Sequence, residues 1–145
     1  MQKAYLALIE KQREEINAFP IAYAFSKKQL EEALVQLGVE SVDECATVFG
    51  QGDIVRRGDG KKFIAMLERH TQEVKDAMLD DETFAEAAFR YEMDNHEYAL
   101  SWDADEEVLR CFGMDYDDLE KLNLMNAYRK ARNAHMKYMR EMGIV

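Results

Sequence analysis

The sequence predicts a helix-rich α+β fold: a single globular domain over residues 1–145, with a small mixed β-sheet. Its length of 145 residues is that of one ordinary domain. Its apolar fraction of 48% is typical of a globular protein. Apolar residues recur at helical spacing along most of the chain, whereas runs typical of strands are few and short. Together these observations favour several helices packed with a small sheet.

The first part of the chain is predicted to hold two helices and three short strands. An amphipathic helix precedes Pro20, the only proline. Ser26 is the predicted N-cap of the next helix, with Gln29 completing a capping box, and Gly38 ends that helix. The predicted strands cover residues 21–25, 47–49 and 53–56.

The second part is predicted to be mostly helical. Its predicted helices run over 60–79, from Asp80 and Asp81 to near Asn95, from Asp103 to Gly113, and from Asp115 to Met142, with a strand over 97–102. The aspartates at these helix starts are typical N-cap residues. Asp103 with Glu106, and Asp115 with Asp118, have the spacing of capping boxes.

Two segments of the chain resemble each other. Residues 21–39 and 96–114 align without a gap, and both contain a strand pattern, a cap residue, a helix pattern and a glycine. This predicts two equivalent strand–helix units in one sheet. The alternative is that capping and helix-ending chemistry alone produces the similarity.

Charge is unevenly distributed along the chain, whose net charge is −10. Residues 80–120 carry fifteen acidic and two basic side chains, whereas 121–145 carry six basic and one acidic. Caps explain many of these acids, since helix N-termini stabilise anions. We expect the basic last helix to lie partly against the acidic segment. Direct nucleic-acid binding is disfavoured, because duplex affinity depends on phosphate neutralisation by Lys and Arg.

Sequence motifs for metals and cofactors are incomplete. His96 and Glu97 begin a zinc-protease pattern, but Leu100 stands where the second histidine is needed. The EF-hand pattern is absent, and the glycine-rich stretch 50–62 lacks the glycine and Ser/Thr of a phosphate-binding loop. We therefore expect no zinc site, no calcium site and no cofactor.

The cysteines and the apolar runs indicate the cellular compartment of the protein. Cys45 and Cys111 form no CxxC pair, and Cys111 is expected to be a buried, inert thiol. No apolar run approaches the roughly 20 residues of a membrane helix. We expect a reduced, cytoplasmic protein that does not bind a membrane.

Three short motifs suggest a relationship. Phe-Pro-Ile at 19–21, Tyr-Ala-Phe-Ser at 23–26 and Asn-His-Glu-Tyr at 95–98 resemble an uncharacterised family of small acidic proteins from gut bacteria and their phages or mobile elements. The resemblance implies no known activity. It favours an accessory or host-interaction role over metabolic catalysis.

Three functions remain open. The leading hypothesis is a non-enzymatic accessory module that binds a protein partner through an acidic face. The second is a polyanion mimic that occupies the nucleic-acid-binding surface of its partner. The third is a hydrolase or metal-dependent enzyme centred on His96. The oligomeric state is left open. The candidate interaction residues, which helix capping does not explain, are Glu86, Glu92, Asp94, His96 and Glu97.

Overall fold

The computed structural model describes residues 2–98 and 103–145. Within these residues the chain forms seven α-helices, a short 3-10 helix and three strands, which confirms the predicted helix-rich α+β fold. The helices are α1 (Lys3–Ala18), α2 (Lys27–Leu37), α3 (Asp59–Asp80), α4 (Glu82–Asn95), α5 (Ala104–Arg110), α6 (Tyr116–Lys121) and α7 (Met125–Glu141). The strands are β1 (Ala22–Tyr23), β2 (Cys45–Ala46) and β3 (Asp53–Arg56).

The chain divides into two compact units. Unit 1 comprises Met1–Lys11 and Thr71–Val145, and unit 2 comprises Gln12–His70. The single domain over 1–145 stays a prediction. No helix in the described part has both the length and the apolar composition of a membrane span.

The sheet lies in unit 2, with strand order β1-β3-β2. Both strand pairs are antiparallel, so the predicted mixed sheet is wrong for the described residues. One reason is that only residues 47–52 join β2 to β3, which is too short for the crossover that parallel strands need. Ser26 and Gly38 bound α2 as predicted: the Ser26 hydroxyl accepts the Gln29 N–H, and Gly38 has a φ of 70°. The Gln29 side chain, however, accepts from the N–H of Phe25.

A buried aspartate organises the turn before β3. The carboxylate of Asp53 accepts backbone N–H groups from Val48 (2.6 Å), Phe49 (2.9 Å) and Gln51 (3.0 Å), and the hydroxyl of Thr47 (3.1 Å). The strand predicted over 47–49 is therefore wrong, because two of its backbone donors bind this side chain instead of a neighbouring strand.

Several aromatic rings meet in the core of unit 1. Helix α4 packs against α7, and the ring of Phe89 meets those of Tyr128 and Phe112 edge-on, at 5.1 and 5.2 Å between centroids. Tyr5 brings the N-terminal segment into this core through ring contacts with Phe84, 6.0 Å away, and with Phe112. The core therefore depends on both ends of the sequence.

The predicted last helix is broken into α6 and α7. Asn123 between them has a φ of 59°, and the N–H of Leu124 bonds to the carbonyl of Leu119 at 2.7 Å. Asparagine tolerates the left-handed conformation, so it ends α6 without a glycine. Both Leu119 and Leu124 are buried, which stabilises the break.

The predicted helix caps have mixed outcomes. Asp81 caps α4 by accepting the N–H of Thr83, and Asp115 forms the predicted capping box with Asp118. Asp80 instead lies in the last turn of α3. Asp103 makes no capping hydrogen bond with its side chain among the described residues.

The second strand–helix unit predicted over 96–114 is only partly visible. Glu97 has a φ of 49° and lies in a turn, so the predicted strand does not begin there. Residues 99–102 of that strand lie outside the described residues. Helix α5 forms as expected, and Gly113, just beyond it, has a φ of 62°.

Candidate functional site

The five predicted interaction residues lie on and just after α4, but they do not share one exposed face. Glu86 is half-buried and lines a groove of about 400 Å³ with Asp94. Asp94 and Glu97 line a second groove, of about 780 Å³. Glu92 is buried, with 7% of its surface exposed, so it is not part of an outward-facing acidic surface.

The charge of Asp94 is partly compensated by neighbouring side chains. The buried imidazole of His135 contacts Asp94 Oδ1 through Nδ1 at 2.8 Å, and the Tyr98 carbonyl oxygen through Nε2 at 3.1 Å. The Arg90 guanidinium lies 3.4 Å from the same carboxylate. Sequence reasoning missed His135, because 41 residues separate it from Asp94 and no local pattern connects them.

Asp105 is a second acid whose carboxylate accepts hydrogen bonds within unit 1. Its Oδ1 accepts the hydroxyls of Tyr98, at 2.8 Å, and of Tyr128. Burial, followed by the hydrogen bond to Asp105, raises the pKa of Tyr98 to about 12. Both tyrosines therefore remain neutral hydrogen-bond donors to Asp105 at physiological pH.

Three further acids lie on α5 and at the start of α6. Glu106, Asp115 and Asp117 line a surface groove of about 400 Å³ together with Arg110 and the half-exposed ring of Tyr116. We call this surface the acidic groove. None of its three carboxylates forms an ion pair within residues 2–98 and 103–145.

The basic last helix lies partly against the acidic segment, as expected, because α7 packs against α4. Within the described residues, one lysine of α7 pairs with an acid of that segment: the Lys130 ammonium lies 3.5 Å from the Glu82 carboxylate. Both side chains are half exposed. Arg132 attracts Asp105. Lys137 instead pairs within α7, with Glu141.

A cluster of three side chains was not predicted. His96 Nε2 lies 3.1 Å from Cys111 Sγ and 3.4 Å from Glu92 Oε2. The three potential ligand atoms all lie within 4.8 Å of one another. Glu92 and His96 are one turn apart at the end of α4, and Cys111 follows α5. Cys111 is exposed, so its prediction as a buried thiol is wrong.

The surroundings of the cluster hold Glu92 in place. The buried hydroxyl of Tyr5 donates to Glu92 Oε1 at 2.8 Å, which leaves Oε2 directed at His96. Asn95 also reaches Oε2, at 3.5 Å. Partial desolvation and the Glu92 carboxylate raise the pKa of Cys111 to about 11, so its thiol is protonated at neutral pH. This is not the environment of an activated cysteine nucleophile.

The sequence did not predict a metal at His96, because the HExxH pattern is incomplete and the chain has only three histidines. The i,i+4 spacing of Glu92 and His96 was the available signal, since it places both side chains on one face of a helix. The approach of Cys111 had no local signal.

Comparison with known proteins identifies the family of the chain without assigning an activity. Neither the curated proteins nor the solved structures gave a significant match. The sequence model of a family of unknown function, DUF7659, matches residues 4–134. This match covers most of the chain and agrees with the expected relationship to an uncharacterised family. The chain therefore belongs to this family of unknown function.

Proposed function

We propose that the protein is a non-enzymatic accessory module that binds a basic segment of a partner protein in the acidic groove. The observation that carries this proposal is the convergence of Glu106, Asp115 and Asp117 on one groove without ion-pair partners among the described residues. The grooves beside α4 are less suitable, because Arg90 and His135 already compensate Asp94.

The groove has the chemistry to hold Lys or Arg side chains. Its carboxylates attract cations, and the exposed ring of Tyr116 offers a face for a cation–π contact. An exposed ion pair contributes only about 0–1 kcal/mol. We therefore expect affinity to come from several contacts together, with fast association and strong dependence on salt.

Partner capture with matched variants tests the proposal. The Glu106→Gln/Asp117→Asn variant removes two groove charges and leaves the Asp115 cap intact. The control, Glu31→Gln/Glu32→Gln, removes two exposed charges from α2. Wild type and control should capture the same partner from the native host at low salt, and the groove variant should lose it. Equal capture by all three proteins would contradict the proposal, provided that circular dichroism shows each variant to be folded.

The same experiment separates partner binding from polyanion mimicry. A mimic would occupy a nucleic-acid-binding surface, so added duplex DNA should displace it from the captured partner. An accessory module that binds elsewhere on the partner should remain bound. Displacement by DNA would replace the leading proposal with mimicry.

The proposal includes a cytoplasmic location and an origin in gut bacteria, their phages or mobile elements. The two free thiols, Cys45 and Cys111, support a reducing compartment. Membership of an uncharacterised family is compatible with an accessory role. Fractionation of native cells, with detection of the protein in the cytoplasmic fraction, tests the location.

A further inference from the structure

We propose that Glu92, His96 and Cys111 bind one divalent transition-metal ion, with Zn²⁺ as the preferred metal. A carboxylate oxygen, an imidazole nitrogen and a thiolate sulfur are all ligands of Zn²⁺. Hard cations such as Ca²⁺ and Mg²⁺ prefer oxygen ligands alone, so the cysteine and histidine select against them. This site is separate from the acidic groove and does not depend on the function proposed there.

The distances fit a tetrahedral metal. Zn–N and Zn–O bonds of about 2.0–2.2 Å and a Zn–S bond of about 2.3 Å place N and O about 3.4 Å apart, and N and S about 3.6 Å apart, at tetrahedral angles. The observed separations are 3.4 Å for His96 Nε2 to Glu92 Oε2 and 3.1 Å for His96 Nε2 to Cys111 Sγ. A small movement of the exposed Cys111 side chain would complete the fit.

The geometry favours a metal over a catalytic triad. In a triad the nucleophile and the carboxylate contact different nitrogens of the histidine. Here Cys111 and Glu92 both approach Nε2 of His96, as ligands around a shared ion would. When the metal binds, the Zn–S bond forms as the thiol proton leaves to solvent.

A neighbouring side chain orients one ligand of the site, and the other two ligands are accessible to solvent. The hydrogen bond from Tyr5 to Glu92 Oε1 is the kind of outer contact that orients a metal ligand. The side chain of His96 is 38% exposed and Cys111 is exposed, so the ion can enter from solvent. A water molecule would supply the fourth ligand, as in zinc sites with three protein ligands.

Metal titration of the chelator-treated full-length protein tests the site. One Zn²⁺ per chain should bind with a dissociation constant below about 10 µM in competition with a chromophoric chelator. Co²⁺ should give a thiolate-to-cobalt charge-transfer band. Cys111→Ala should abolish that band, and both Cys111→Ala and His96→Ala should weaken Zn²⁺ binding at least tenfold. Cys45→Ala is the matched control and should retain both signals.

A positioning variant and a direct structural measurement complete the test. Tyr5→Phe should weaken Zn²⁺ binding by about 10- to 100-fold, as expected for loss of an outer-shell hydrogen bond. X-ray absorption of the wild-type zinc complex should show one sulfur among nitrogen and oxygen ligands, a readout that needs no variant to fold. The proposal is overturned if binding is not stoichiometric, if the absorption spectrum shows no sulfur, or if Cys111→Ala binds as tightly as wild type.

Discussion

Replacing Asp53 with asparagine should strongly destabilise unit 2. The Asp53 carboxylate accepts four hydrogen bonds, three of them at Oδ2 and one, from the N–H of Gln51, at Oδ1. An asparagine whose oxygen replaces Oδ2 would present its NH₂ group to the Gln51 N–H, so one bond is lost. The other three change from charge-assisted to neutral.

The expected loss follows from these changes. Hydrogen bonds to charged groups contribute about 1.5–3 kcal/mol and neutral ones about 0.5–1.5 kcal/mol. One lost bond and three weakened bonds, which do not add fully, give a decrease of about 2–4 kcal/mol in the free energy of unfolding. Urea unfolding followed by circular dichroism measures this decrease. The exposed Asp43 provides the control, and Asp43→Asn should change stability by less than about 0.5 kcal/mol.

The loss of stability caused by Asp53→Asn should depend on pH. Burial alone would raise the pKa of Asp53, but the N–H groups of Phe49, Gln51 and Val48 outweigh it and hold the pKa well below its usual range. The charged carboxylate therefore stabilises the fold fully above the unfolded pKa of about 3.9, and this contribution is lost as the pH falls below it. The difference in the free energy of unfolding between wild type and Asp53→Asn should become smaller from pH 7 to pH 3. A gap below 0.5 kcal/mol at pH 7, or one independent of pH, would refute this reasoning.

Two pairs of substitutions and one titration test other local features. Asp115→Ala should cost about 0.5–2 kcal/mol in urea unfolding because it removes a capping hydrogen bond, whereas Asp103→Ala should cost less. Gly113→Ala should lower Tm more than Gly143→Ala: both have positive φ, but only at Gly113 does the added Cβ meet a neighbouring methyl group, at 3.3 Å. Tyr98 should ionise only near pH 12 in carbon NMR of its ring, and ionisation near pH 10 would contradict its burial.

The sequence was most informative about helix ends. Ser26, Gly38 and Asp115 act within one turn of their own backbone, so their roles could be predicted from local chemistry. The break at Asn123 could not, because asparagine only tolerates the left-handed conformation and the packing of buried leucines selects it. The wrong prediction of a strand at 47–49 has a related cause. The carboxylate of Asp53 accepts the backbone N–H groups of Val48 and Phe49, which a strand would need for pairing.

The cluster of Glu92, His96 and Cys111 was harder to predict than the fold, because its members come from distant parts of the sequence. Glu92 and His96 are one helical turn apart, a relationship visible in the sequence. Cys111 lies fifteen residues beyond His96, and only the packing of α5 with α4 brings its sulfur within 3.1 Å. Tyr5, which holds Glu92, lies 87 residues before it. No spacing rule covers such distances.

The discontinuity of unit 1 has a consequence for folding during synthesis. Unit 2 lies wholly within residues 12–70, so it can form once that stretch has left the ribosome. Unit 1 cannot, because Tyr5 must wait for Glu92, Phe112 and the rest of its core. At about 5–20 residues per second, residues 71–145 take roughly 4–15 s to make, and during that time the apolar N-terminal segment has no completed core to enter. Residues 2–11 should therefore be among the last parts of unit 1 to reach their final packing.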